Sequence, residues 1–386
     1  MEGKAEEVIE QVVKLTLTDA TLGAVDLALS PSFCSHLLEP DHLIDHAHDT
    51  ASDFTQGVPA YPLYKSLASA LCKSISCGAF CGPEKTTLID TEESLYHKQQ
   101  EEEEWSKLIK EKGFDLVQVL KMLNFDLHVQ EPFFSQLKDG LKTVEGRCAV
   151  GDYKRISPGA LILFNKCLVL QVQDVQKYAS FSEMLEAESI EKVLPGVKTI
   201  KEGVQIYRNF YPEEMERLNG VLSIRVTKPT FQLSDAMASI IRGLSYKGVQ
   251  QLLGIVHTEG TSLMALPPPR SSILSSFLSP HNANVKSSTL TVGARSLAKH
   301  VHRSSLRFWG NFCGNDSAKN LLALDVIRKL LANCCWLNLH IVPPHGVVFE
   351  IRVADGYGAR WSEDGTKFIG FLEPYMENGH SKGWKH

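Results

Sequence analysis

Hydrophobic positions recur at helical spacing through the first third of the chain, then shorten to strand spacing broken by turn residues. Glu6–Leu17 sets Val8, Ile9, Val12, Val13 and Leu15 at near-helical intervals. Tyr61–Ile75, Thr91–Lys112 and Phe114–Leu123 read as further helices, so residues 1–125 form a helical region. Glu131–Asp139 is a short amphipathic segment that stops at Gly140, after which the chain runs extended. Leu161–Phe164 and Cys167–Val175 are strands joined at Asn165-Lys166 as a hairpin, following a turn at Ser157–Ala160. Ser180–Ala187 is a short helix with a serine cap and a glutamate three residues on, Ile200–Asn219 a longer one, and Val221–Val226 a final strand. Residues 126–228 therefore predict a small, mostly β barrel with helical plugs.

Residues 229–386 predict an α+β domain. Ser234–Leu253 is helical, and the Pro- and Ser-rich stretch near 265–291 reads as a flexible segment. Asn315–Ala332 is a capped amphipathic helix with Asp316 or Ser317 near the cap. Trp336–Val342, Val347–Val353, Gly358–Trp361 and Phe368–Leu372 then alternate with Pro- and Gly-bearing turns as a β-meander. The fold class is α+β.

With 386 residues, 43% hydrophobic and 22% charged, the chain has room for two or three globular domains. Its most apolar stretch, Ala160–Val172, is interrupted by Asn165 and Lys166 and is too short to span a bilayer. The acidic start lacks an apolar run, so no secretory signal is expected. Nine scattered cysteines with no Cys-x-x-Cys favour reduced thiols, a cytoplasmic and/or nuclear protein, and neither zinc site nor disulfide framework. No metal or cofactor is expected. Charge separates along the chain: residues 1–130 carry −12, residues 131–227 carry 0 and residues 228–386 carry +7, summing to −5. A basic C-terminal part suits an anionic partner, and an acidic N-terminal part suits a shield or a protein contact.

The densest chemistry lies in Gly140–Arg147. If strand alternation holds, Thr143, Glu145 and Arg147 share one face while Lys142 and Val144 share the other. An acid and a base two apart can pair structurally, or converge on a ligand that both donates and accepts hydrogen bonds. Tyr207 and Tyr211 offer aromatic faces for stacking, or core packing at i and i+4. A second surface is the basic stripe Arg295, Lys299, Arg303 and Arg307 at helical spacing, followed by Trp309; it suits a nucleic-acid backbone or a solvated helix face. Asp41–Asp49 clusters His42, Asp45, His46, His48 and Asp49 without a recognised metal signature, and reads as a solvated polar segment. Asp355, Tyr357, Arg360, His380 and His386 could together line a site, with no motif to attach them to, and read as structural.

Residues 129–227 resemble the ASCH (activating signal cointegrator homology) domain. The resemblance rests on Gly140, the run Lys142-Thr-Val-Glu-Gly-Arg147, Pro158-Gly159, Tyr178–Leu185, Leu194-Pro-Gly196 and Gly203–Tyr211. The long chain with its acidic N-terminal region is similar to plant RNA-binding ASCH proteins. The resemblance implies a PUA-like β-barrel with a cleft between barrel and helices that holds RNA or a modified nucleotide, in transcriptional coactivation or RNA processing. On that reading Lys142, Thr143, Glu145, Arg147, Tyr207 and Tyr211 are the ligand-binding residues. Some small members of the family are amidohydrolases of acetylated cytidine that use a Lys and a Thr of the same motif with a separate Glu. Here Lys142 and Thr143 match that pair, Glu145 stands where those enzymes carry a Thr, and no later Glu is matched. Lys142 is the catalytic group if the chain is such a hydrolase, and a protein-interaction adaptor is the third reading.

Overall fold

The computed structural model describes residues 2–41, 57–82, 92–282, 289–301 and 308–374. They fall into two compact units, one of residues 1–16 and 108–240, the other of residues 17–107 and 241–386. The N-terminal helices are thus shared between both units, whereas the sequence pattern sets residues 1–125 apart.

Five strands build the sheet of the first unit: β1 (Phe125–Leu127), β2 (Val144–Cys148), β3 (Leu161–Phe164), β4 (Leu168–Tyr178) and β5 (Val221–Thr227). Their order is β1-β3-β4-β5-β2, with only the β1–β3 pair parallel. Asn165 and Lys166 both take positive φ, 47° and 62°, as the two central residues of a tight hairpin require. β4 pairs with β3 through Leu168–Gln171 and with β5 from Gln171 to Tyr178, with a bulge between Val172 and Asp174. A bulge sharpens strand twist, and the sheet curls into a half-barrel whose edges are β1 and β2.

The helices Phe181–Glu188, Ile190–Val193 and Ile200–Arg208 close one side of this sheet. Ser180 caps the first, its hydroxyl accepting from Glu183 N at 3.1 Å, and Thr199 with Glu202 forms a capping box on the third. Between helices and sheet lies a core of Val144, Cys148, Phe181, Met184, Leu185 and Tyr207. The segment Ile200–Asn219 is not one helix. It breaks into Ile200–Arg208 and Glu213–Asn219 at Pro212, which lacks an N–H and turns the preceding residue away from helical geometry.

In the second unit, β6 (Trp336–Val342), β7 (Gly346–Arg352), β8 (Gly358–Ser362) and β9 (Phe368–Leu372) form the expected antiparallel meander. The helix Asp316–Ala332 precedes it, capped by Asn315, whose Oδ1 accepts from Ala318 N at 2.9 Å. Leu337, Leu339, Phe349, Ile351, Ala359 and Trp361 point to the core on one sheet face. The stretch read as flexible holds a helix, Arg270–Leu278, with Ile273 and Phe277 fully buried. Two apolar side chains one helical turn apart outweigh the polar serines around them.

Candidate nucleic-acid interface

Lys142 lies ahead of β2, where strand alternation does not yet apply. Its side chain therefore reaches the acid that alternation would put on the opposite face. The ammonium sits 3.1 Å from Glu145 Oε2 and donates to Val144 O at 2.8 Å and to Val193 O. An ammonium has three N–H groups, so none remains for a phosphate, and the residue is only 2% exposed. Burial draws the ammonium below its ordinary pKa, and the Glu145 carboxylate works against that fall. Lys142 is the floor of the site rather than its mouth.

Glu145 bridges the two bases. Its Oε1 lies 2.9 Å from Arg147 Nε, an ion pair whose angle leaves that N–H without a hydrogen bond. Arg147 Nη2 donates to His128 O at 2.6 Å, and its guanidinium stands 5.8 Å from the Tyr153 ring. Burial works against this charge, but Glu145, then Tyr211 and Tyr153, more than compensate and hold its pKa above the ordinary value. The side chain stays 14% exposed, which makes it the charged end of the cluster that solvent reaches.

The tyrosines divide. Tyr207 is 6% exposed, its ring stacked on Phe181 at 4.0 Å and 9°. It is a core residue, and no base can stack on it; burial and the nearby Glu145 raise its hydroxyl pKa. Tyr211 is half-buried and packs on Phe181 at 5.6 Å, and its hydroxyl meets Arg147. Burial raises that hydroxyl while Arg147 pulls it back. Thr143 contributes backbone: its N–H donates to Lys192 O at 3.0 Å and its carbonyl accepts from Val226 N at 2.9 Å. Tyr153 and His128 escape the sequence pattern, although the Asp152-Tyr-Lys-Arg155 turn, an aromatic beside two bases, is a signal for the first. A cleft of about 840 Å³ opens beside Tyr153, bounded by Asn124, Asp126, Asp152, Arg155 and Ser157, a size that accepts a nucleotide.

Residues 127–230 match the family model of the ASCH domain. The chain is an ASCH-domain protein. The crystal structure of hypothetical protein PH0355 shares 44% identity with it, over 26% of this chain and 95% of that one, with a TM-score of 0.26. The solution structure of protein PF0455 from Pyrococcus furiosus shares 41% identity, over 28% of this chain and 98% of that one, also at 0.26. No curated protein matches the chain. Residues 280–373 match the model of the CdiA C-terminal tRNase toxin domain. The presence of an ASCH domain suggests RNA binding.

The second expected surface is only partly formed. Arg295 and Lys299 are exposed, but the helix there is short, Val292–Leu297. Trp309 is fully buried and donates Nε1–H to Glu373 Oε1 at 3.0 Å, so it belongs to the core and not to a stacking surface. A large indole gains more from burial than from display, provided its N–H finds a partner. Arg303 and Arg307 lie outside the described residues, as do His42, Asp45, His46, His48, Asp49, His380 and His386. Among the described residues no helix is long and apolar enough to cross a membrane, and no group of three His, Cys, Asp or Glu is placed to hold a metal.

Proposed function

We propose that the ASCH domain binds RNA through Arg147, flanked by Tyr153 and Tyr211, over a fixed floor of Lys142 and Glu145. The carrying observation is the partly open guanidinium, 5.8 Å from the Tyr153 ring and met by the Tyr211 hydroxyl. A cation there meets phosphate or a base carbonyl, and the half-exposed rings offer faces to unstacked bases. The protein would act on RNA in the cytoplasm or nucleus, in RNA processing or transcriptional coactivation, with the acidic N-terminal segments available to protein partners. The amidohydrolase reading has less support, because Lys142 is sealed and its ammonium fully occupied.

The test is titration of the full chain with single-stranded RNA at two salt concentrations. Arg147→Ala should weaken binding about tenfold and lower the salt slope by about 1. Tyr211→Ala should weaken it at both salts alike. Unchanged affinity and slope in Arg147→Ala, with folding intact, would sink the proposal.

A second reading concerns the other unit. The tRNase-toxin match spans all four strands β6–β9, and favours an RNA-cleaving C-terminal module alongside the RNA-binding domain.

A further inference from the structure

The face of the C-terminal sheet turned away from its core carries a polar group that RNA binding by the ASCH domain leaves unused. Alternation along β6, β7 and β8 puts Trp336, His340, Glu350, Arg352 and Arg360 on that face. Glu350 sits at the centre, 2% exposed, and its carboxylate gathers three cationic side chains. His340 Nε2 lies at 3.2 Å, Arg352 Nε at 2.7 Å, and Arg360 Nε and Nη2 at 2.9 and 2.6 Å. Burial alone would raise this carboxyl; the imidazole and the two guanidiniums instead hold it down to about 2. One fixed anion against two guanidiniums leaves the face net positive before His340 takes a proton.

Two donors and one ring nitrogen on this face are unspent among the described residues. Among the described residues Arg360 Nη1 and His340 Nδ1 have no partner, and neither does Trp336 Nε1, which belongs to a side chain only 6% exposed. The indole stands perpendicular to the imidazole, ring centroids 6.0 Å apart. A buried N–H without an acceptor is costly, and here a ligand oxygen would supply one. Arg352 is spent on the fold, giving Nη1 to Gly356 O and Glu373 O. His340 and Arg360 remain about one-fifth exposed, at 20% and 19%. Because an ionised Glu350 can only accept, Nε2 of His340 carries the hydrogen, and Nδ1 of the neutral ring presents its lone pair outward. A cationic face with unpaired donors and a carboxylate-backed imidazole suits a phosphodiester beside a group to be deprotonated.

We propose that this face cleaves RNA: Arg360 and Trp336 hold one phosphodiester while His340 Nδ1 takes the proton of the adjacent ribose 2′-hydroxyl. The assignment rests on the RNA-cleaving reading of the C-terminal module. As the proton leaves, O2′ attacks phosphorus and the P–O5′ bond breaks, its electron pair going to O5′. O5′ takes a proton from water, and the hydroxide left behind recovers the proton from His340. The products are a 2′,3′-cyclic phosphate and a 5′-hydroxyl end, with nothing oxidised or reduced.

The experiment uses the full chain, an end-labelled RNA oligonucleotide and its all-deoxy counterpart. Expected are cyclic-phosphate ends from the RNA and an intact DNA. His340→Ala should lower kcat by about 10²–10⁴ with KM little changed. Trp336→Phe should raise KM about tenfold, although the N–H it deletes has no partner among the described residues and its loss should not lower stability. That variant keeps the proposal open to refutation if His340→Ala fails to fold. No cleavage by the wild-type chain would overturn both the RNA-cleaving reading and this site. Cleavage that survives in His340→Ala and in Trp336→Phe would overturn the site alone, leaving the reading in place.

Discussion

At Gly146 a single missing methyl group sets how closely a helix approaches the half-barrel. A Cβ there would stand 2.4 Å from the Tyr207 hydroxyl and 2.7 Å from Met184 Cε, both in a filled core. Gly146→Ala should therefore destabilise the chain by about 1–3 kcal/mol, since overpacking forces side chains off their rotamers. Urea unfolding of the two proteins checks this, and equal midpoints would contradict it. The glycine is visible in the sequence as part of Lys-Thr-Val-Glu-Gly-Arg, but nothing local shows what it makes room for. Lys142 follows the same logic. Its charge suggests a phosphate contact, whereas Val193 O, 51 residues away, takes one of its N–H groups. Trp309 and Tyr207 are likewise aromatics whose roles are set by remote partners, Glu373 and Phe181.

Elements were legible wherever local pattern and local chemistry agree. The hairpin at Asn165-Lys166, the meander β6–β9 and the serine-capped helix Phe181–Glu188 all appear where periodicity and turn residues put them. Ser180→Ala removes the acceptor for Glu183 N and should cost about 1 kcal/mol, read as a lower denaturant midpoint at unchanged slope. The mismatches have named causes. Gly113 does not divide the acidic N-terminal pattern into two helices, because a glycine costs a helix only about 1 kcal/mol; Glu92–Met122 runs through it. Pro212 does divide a helix, because proline removes a donor and clashes with the preceding turn.

Across the whole molecule the charged groups bear on stability as well as on ligands. The Glu350 carboxyl falls from an ordinary 4.5 to about 2 in the folded chain. A depressed carboxyl contributes stability above its unfolded pKa, and that contribution fades as pH drops from about 4.5 toward 2. The shift corresponds to about 3 kcal/mol, so Glu350→Gln should flatten the acid-side loss of stability over that window. Chemical denaturation at a series of pH values measures it; an equally steep decline in the variant would remove Glu350 as its source. The α+β class, the ASCH resemblance, the C-terminal meander and the separation of acidic from basic segments follow from the amino-acid order alone. Each depends on spacing within a few residues, or on summed composition. Tertiary structure alone decided that Lys142 is sealed while Arg147 stays open, and that Tyr153 rather than Tyr207 flanks it. It alone gathered His340, Glu350, Arg352 and Arg360 on one face. Those outcomes depend on strand register and on which helix covers which strand, contacts between residues too far apart in sequence for any local pattern to encode.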